Sequence, residues 1–113
     1  PTGCAAALAT LQVIEEENLL ERASELGAVL KDRLQTLQAK HKQIGDVRGL
    51  GAMIGIEFIK DANKTPDEES VKKIVEVARD SGLILLSTGT YGNVIRLLPP
   101  LNMSDAELNE GLE

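Results

Sequence analysis

An arginine lies inside an otherwise apolar segment near the end of the chain. The segment VIRLL covers residues 94–98, and Arg96 is its one charged residue. A guanidinium cannot give up its charge, so placing it among buried apolar residues requires an anion beside it. Its planar fork of N–H donors suits a carboxylate, which it can bind through two parallel hydrogen bonds. Arg96 is therefore the candidate for a binding site.

The residues alone leave two interpretations of Arg96 open. Alternation along a strand places it on one face with Val94 and Leu98. In the first interpretation it lies at a sheet edge, paired with a carboxylate of the protein or extended into water. In the second it is a clamp for the carboxylate of a ligand, positioned by the small, polar loop STGTYGN that precedes the strand.

Three other motifs predict no chemistry. His41, the single histidine, has no cysteine or acidic cluster spaced with it, so we expect no metal site. The acidic run at residues 15–17 is expected to be a solvated helix face, because adjacent side chains on a helix point apart. The segment RGLG at residues 48–51 lacks the spacing of a phosphate-binding loop and leads into a strand, so its glycines are interpreted as bends.

Composition limits the fold and the partners. A chain of 113 residues, 42% hydrophobic and 27% charged, is long enough for one globular domain. Its net charge of -6 argues against nucleic acid or an anionic membrane as a partner. The single cysteine, Cys4, fits a reducing compartment, and we expect a cytoplasmic protein with no membrane-spanning segment.

The apolar periodicity predicts the order α-α-β-α-β-β-α. Two helices, over residues 4–17 and from Asn18 to about Lys40, precede a strand that includes residues 53–58. Apolar residues recur at spacings of three and four along the second helix and predict one buried stripe, made of Leu19, Ala23, Leu26, Leu30, Leu34 and Leu37. Thr65 is predicted to cap a third helix, with Pro66 and Glu68 in its first turn. Buried strands follow at 83–87 and 94–98, and Ser104 with Glu107 predicts a final capped helix. Long helices on one face of a small, largely antiparallel sheet make an α+β domain.

Three blocks of the sequence resemble one enzyme family. They are CAAALATLQVIEEENLLERA (residues 4–23), IGDVRGLGAMIGIEF (44–58) and GLILLSTGTYGNVIRLLPPL (82–101), which follow one another in order along nearly the whole length of the chain. They are similar to the C-terminal part of class III aminotransferases, pyridoxal-phosphate enzymes of fold type I. The resemblance implies that residues 1–113 are the C-terminal small domain of such an enzyme and that the large cofactor domain lies outside this chain.

The resemblance implies a role for Arg96 and for the missing parts. By it, Arg96 binds the carboxylate of the amino-acid or 2-oxo-acid substrate, in an enzyme that moves an amino group from an ω-amino acid, expected to be 4-aminobutyrate, to 2-oxoglutarate. It also implies that no catalytic or cofactor-binding residue lies in this chain, that the lysine anchoring pyridoxal phosphate lies upstream, and that the whole enzyme is a homodimer. The alternative is a free-standing module that binds a small carboxylate for regulation, without catalysis.

Overall fold

The chain folds into four helices and one four-stranded sheet. A computed structural model describes all of residues 1–113. The helices are α1 (Thr2–Glu16), α2 (Leu19–Lys40), α3 (Glu68–Asp80) and α4 (Asp105–Leu112). The strands are β1 (Ile44–Leu50), β2 (Met53–Phe58), β3 (Leu86–Thr88) and β4 (Val94–Leu97). The predicted α+β class is confirmed, and none of the helices has the length and apolar character that a membrane span needs.

All neighbouring strands of the sheet are antiparallel, in the order β1-β2-β4-β3. The predicted element order lacked β1, so it was wrong by one strand. The sequence of β1, IGDVRGL, contains two glycines and two charged residues and has no apolar alternation. It is recognisable as a strand only through its hydrogen bonds to β2, which it joins in a hairpin whose two-residue turn begins at Gly51, with φ +53°.

The hydrophobic core lies between α2, α3, α4 and one face of the sheet. The predicted stripe of α2 is confirmed at Leu26, Leu30 and Leu34, which are buried against the sheet. Their partners in the core include Ile54, Ile56, Val71, Ile95 and Leu108. Helix α1 packs on α2 and contains no buried residue. Only 14 of 113 residues are buried, so much apolar surface of this chain is left uncovered.

The ends of the helices follow local signals with one exception. The break between α1 and α2 falls at Asn18 as predicted, and Asn18 adopts a left-handed backbone with φ 51°. Ser104 and Glu107 form the predicted capping box of α4. The predicted cap of α3 was wrong: α3 begins at Glu68, with Asp67 as its N-cap residue. Thr65 is unavailable as a cap because its hydroxyl donates to the Asp61 carboxylate at 2.7 Å.

The strand predicted at residues 83–87 is also corrected. Strand β3 has three residues and lies at the edge of the sheet. Ile84 is 83% exposed and Leu86 is 54% exposed, so the segment is not a buried strand. Its run of apolar residues cannot by itself distinguish a central strand from an edge that another part of a protein covers.

Candidate functional site

One face of the sheet carries no helix, and Arg96 lies on it. In the register of the sheet, Arg48 of β1 is opposite Gly55 of β2, Gly55 is opposite Arg96, and Arg96 is opposite Leu86 of β3. Side chains of directly paired residues point to the same face, whereas the neighbouring Ile95 points into the core. We call this uncovered surface the open face; it carries Asp46, Arg48, Gly55, Glu57, Leu86, Thr88, Val94 and Arg96.

Arg96 is exposed and has no anionic partner in this chain. No carboxylate lies within 4.0 Å of its guanidinium, although three of the other four arginines are in ion pairs. Strand β4 lies between β2 and β3, so Arg96 is not at a sheet edge. Within residues 1–113 Arg96 therefore pairs with no carboxylate, and its exposure agrees both with extension into water and with binding of a ligand. The guanidinium is available to an anion from outside the chain.

Gly55 leaves open space beside Arg96. A Cβ atom added to Gly55 would meet Val94 Cγ1 at 3.5 Å and the Arg48 carbonyl oxygen at 3.8 Å, which are ordinary contact distances. The backbone of this position therefore does not require glycine. What glycine provides is the absence of a side chain between Arg48 and Arg96, so an anion can approach the Arg96 guanidinium from the side of β2.

The loop before β4 fixes the position of Arg96 through a buried asparagine. The side-chain amide of Asn93 donates to the Phe58 carbonyl oxygen at 2.9 Å, and the Phe58 N–H donates to the Asn93 carbonyl oxygen at 2.8 Å. Gly89 and Gly92 adopt φ of +87° and +63°, which lets the loop turn tightly before this anchor. The end of β2 and the start of β4 are thereby held together three residues before Arg96.

A second arginine of the open face, Arg48, is paired with two carboxylates of the chain. Its Nη1 atom donates to Asp46 Oδ2 at 2.8 Å and to Glu57 Oε2 at 2.6 Å. These hydrogen bonds, the one to Asp46 first, raise the pKa of Arg48 above its ordinary value, so the guanidinium is permanently charged. The open face thus presents one arginine bound by two carboxylates and one arginine bound by none.

A cavity of about 310 Å³ opens beside the far end of β4. Arg96 and Glu107 are its charged lining residues, and leucines, prolines and Met103 make up most of the remaining wall. Most of this wall comes from α4 and from the segments that flank β3 and β4.

The sequence identified Arg96 but not its surroundings. The RGLG segment was interpreted as a bend, and Gly51 does form the turn of the hairpin. That interpretation missed Arg48 of the same segment, which shares the open face with Arg96. No signal in the sequence marked this arrangement, because the segment has no apolar alternation and its strand is defined by hydrogen bonds to β2. His41 is exposed at the C-terminus of α2.

Comparisons with known proteins connect the whole chain with one family. The sequence profile of the family described as Aminotransferase class-III matches residues 1–113. The 4-aminobutyrate aminotransferase GabT of Escherichia coli (strain K12) is 54% identical over 114 residues, which cover 100% of this chain and 27% of GabT. The 5-aminovalerate aminotransferase DavT of Pseudomonas aeruginosa is 58% identical, covering 99% of this chain and 26% of DavT. The chain thus spans about a quarter of the length of these curated relatives.

A solved structure agrees in three dimensions. The amine transaminase from an uncultivated Pseudomonas species, in its PLP-bound (pyridoxal-phosphate-bound) form, superposes with a TM-score of 0.86 at 34% identity. The superposition covers 99% of this chain and 26% of that structure. The fold described above is therefore the fold of the corresponding part of a transaminase.

Proposed function

This chain belongs to the class III aminotransferases, and we propose that the protein containing it transfers an amino group from an ω-amino acid to a 2-oxo acid. The two relatives named above act on 4-aminobutyrate and 5-aminovalerate, which both carry an amine at one end and a carboxylate at the other. We propose 4-aminobutyrate as donor and 2-oxoglutarate as acceptor. Identity of 54–58% along the whole chain supports an enzyme over a free-standing carboxylate-binding module.

The single observation that carries this proposal is the unpaired Arg96. Its guanidinium lies on the open face without a carboxylate of the chain, beside the space left by Gly55. A substrate carboxylate bound by both arms of the fork would be held in one orientation, which places its other end at a fixed point. We propose that Arg96 binds the carboxylate of the amino-acid or 2-oxo-acid substrate.

The residues of this chain do not fit the anchoring site of pyridoxal phosphate. That cofactor is held through an imine to a lysine, which requires a lysine whose amine can lose its proton readily. Of the seven lysines here, only Lys31 is half-buried and the others are exposed. We propose that the cofactor is held by the part of the protein outside this chain, and that no catalytic or cofactor-binding residue lies within residues 1–113.

We propose that the uncovered surfaces of the chain pack on the rest of the same protein. Helix α1 exposes an apolar side, with Leu8 69% and Leu11 59% exposed. A soluble domain rarely leaves such a surface open, and about three quarters of the relatives' length lies outside this chain. In this proposal residues 1–113 are the C-terminal small domain, a large domain covers α1, and the whole enzyme is a homodimer. A cytoplasmic location fits the single free cysteine, Cys4.

Substitution of Arg96 by lysine in the full-length enzyme tests the substrate role. Lysine keeps the positive charge but loses the planar fork, so at most one hydrogen bond to the carboxylate remains. A hydrogen bond to a charged group contributes about 1.5–3 kcal/mol, and each 1.4 kcal/mol is a factor of ten. We expect kcat/KM for the carboxylate substrate that Arg96 holds to fall by roughly tenfold to a hundredfold. The amino-acid and 2-oxo-acid half-reactions are measured separately, so that each carboxylate is tested alone.

An amine donor without a carboxylate serves as the comparison substrate. It gives the guanidinium nothing to hold, so its half-reaction should change far less in Arg96→Lys. Arg33→Lys is the matched control, because Arg33 is exposed on α2 and belongs to no ion pair. An equal loss for substrates with and without a carboxylate, together with a lower melting temperature, would show that Arg96 is structural and would overturn the proposal.

A further inference from the structure

Glu57 is placed where it could pair with Arg96. Both residues lie on the open face: Glu57 is opposite Val94, and Arg96 follows two residues later on β4. Such diagonal neighbours have Cα atoms about 7–8 Å apart, which long side chains can bridge. A glutamate and an arginine at this spacing would be expected to form an ion pair. No such pair exists here, although Arg96 has no other carboxylate within 4.0 Å.

Arg48 binds the Glu57 carboxylate on the other side. Glu57 Oε2 lies 2.6 Å from Arg48 Nη1, so the glutamate side chain is directed towards β1 and away from β4. Glu57 is the most enclosed carboxylate in any ion pair of the chain, with 28% of its side chain exposed, against 50% for Asp46. Water and salt therefore screen the carboxylate of this pair less than the carboxylate of any other ion pair in the chain.

The open face has no other cation that could take the place of Arg48. Arg48 and Arg96 are the only positively charged residues in the four strands. Asp46 and Glu57 share one guanidinium nitrogen, so removal of Arg48 would leave two carboxylates without a partner. Of the two, Glu57 is on the strand next to Arg96, whereas Asp46 is on β1, one strand farther away.

We propose that Arg48 is a positioning residue that holds Glu57 away from Arg96 and so keeps the Arg96 guanidinium free for the substrate carboxylate. This inference rests on the proposed role of Arg96. It assigns to the Asp46–Arg48–Glu57 cluster a part in substrate affinity, although none of its members touches the substrate. Without Arg48, the Glu57 carboxylate would compete with the substrate carboxylate for the N–H donors of Arg96.

The experiment uses the full-length enzyme with Arg48→Met, Glu57→Gln and the double variant. In Arg48→Met we expect KM for the substrate that Arg96 holds to rise roughly five- to twentyfold, since a partly enclosed charged pair now competes for the guanidinium. kcat and the half-reaction of an amine without a carboxylate should change little. Glu57→Gln alone should stay within about twofold of the wild type. Combined with Arg48→Met, it should restore KM, because the glutamine side chain carries no charge.

Asp46→Asn in the Arg48→Met background is the matched control. It restores the same net charge as Glu57→Gln but removes the carboxylate that is farther from Arg96, so it should not restore KM. A direct readout is the dissociation constant of glutarate, a dicarboxylate that cannot react, measured by titration calorimetry. It should follow the same pattern across the variants, and the melting temperatures show which variants remain folded.

The outcomes distinguish this inference from the proposed function. Rescue by Glu57→Gln and not by Asp46→Asn supports it. Equal rescue by both, or none by either, while Arg96→Lys still gives a loss confined to carboxylate substrates, overturns the role of Arg48 and leaves that of Arg96 standing. If Arg96→Lys shows no such selectivity, both proposals fail together.

Discussion

Helix α2 contains a glycine that we expect to resist replacement by alanine. Gly27 is buried against the turn between β1 and β2. A Cβ atom at this position would lie 2.2 Å from the Gly51 carbonyl oxygen, 2.5 Å from its carbonyl carbon and 3.0 Å from its Cα. The obstacle is backbone, which cannot rotate away as a side chain can. The distance between the new Cβ and the Gly51 carbonyl oxygen must therefore increase to at least 3.0 Å, so either α2 or the β1–β2 hairpin has to shift.

The expected cost of Gly27→Ala follows from two opposing effects. Overpacking a close contact costs about 1–3 kcal/mol, and a rigid obstacle favours the upper half of that range. Alanine in a helix interior gains about 0.5–1 kcal/mol over glycine. The net loss is about 1–2.5 kcal/mol, which corresponds to roughly fivefold to seventyfold faster amide exchange in α2.

Hydrogen–deuterium exchange of peptides from α2 in the full-length protein measures this loss. Gly3→Ala is the control, because α1 has nothing within 4 Å of a Cβ at Gly3, so there only the helix-propensity gain remains. We expect exchange in α1 to slow or stay unchanged in the control. If Gly27→Ala leaves α2 equally or better protected, the close packing of α2 on the Gly51 turn does not determine stability, and the reasoning is refuted.

Two further predictions concern a helix cap and an exposed surface. Asp67 accepts hydrogen bonds from the Ser70 hydroxyl and N–H, and the hydroxyl bond is the main reason why the pKa of Asp67 is lowered. Asp67→Ala should therefore cost about 1 kcal/mol in free energy of unfolding at neutral pH. The pKa of Asp67 is lower in the folded state than in the unfolded state. The difference in unfolding free energy between wild type and variant is therefore complete above about pH 4 and shrinks as the pH falls through the folded-state pKa. A difference in urea unfolding that does not change with pH would contradict this prediction. In the isolated 113-residue chain, the exposed Leu8 and Leu11 should cause self-association and dye binding, both reduced by Leu8→Gln with Leu11→Gln. Sedimentation that shows a monomeric wild type without dye binding would contradict this.

The sequence predicted those features that depend on residues close together in the chain. The stripe of leucines in α2, the break at Asn18 and the capping box at Ser104 each involve residues within one or two helical turns. The same kind of signal failed at α3, because Asp61 competes for Thr65 and leaves Asp67 as the cap. A local pattern is reliable only when no neighbouring side chain offers its residues another partner.

The features that the sequence did not predict depend on pairing between distant residues. Strand β1 lacks apolar alternation and is defined by its hydrogen bonds to β2. The position of Arg96 beside Gly55, and of Glu57 between the two arginines, requires the register of three strands. Arg96 itself could be singled out from the sequence because a charge inside an apolar strand is unusual, whereas its freedom from any carboxylate is visible only in the structure.

The strand order divides the sheet into two hairpins, and we call the boundary between them, where β2 pairs with β4, the seam. The pairs β1–β2 and β3–β4 are hairpins that can form locally, within microseconds. Strands β2 and β4, in contrast, are separated in sequence by α3 and β3, so their pairing closes a long loop and is the slow, non-local step. Arg96 and Gly55 meet across this seam, as do Glu57 and Val94. The surface that we propose for substrate binding therefore forms only when the two hairpins join, so in this proposal affinity for the substrate depends on completion of the sheet.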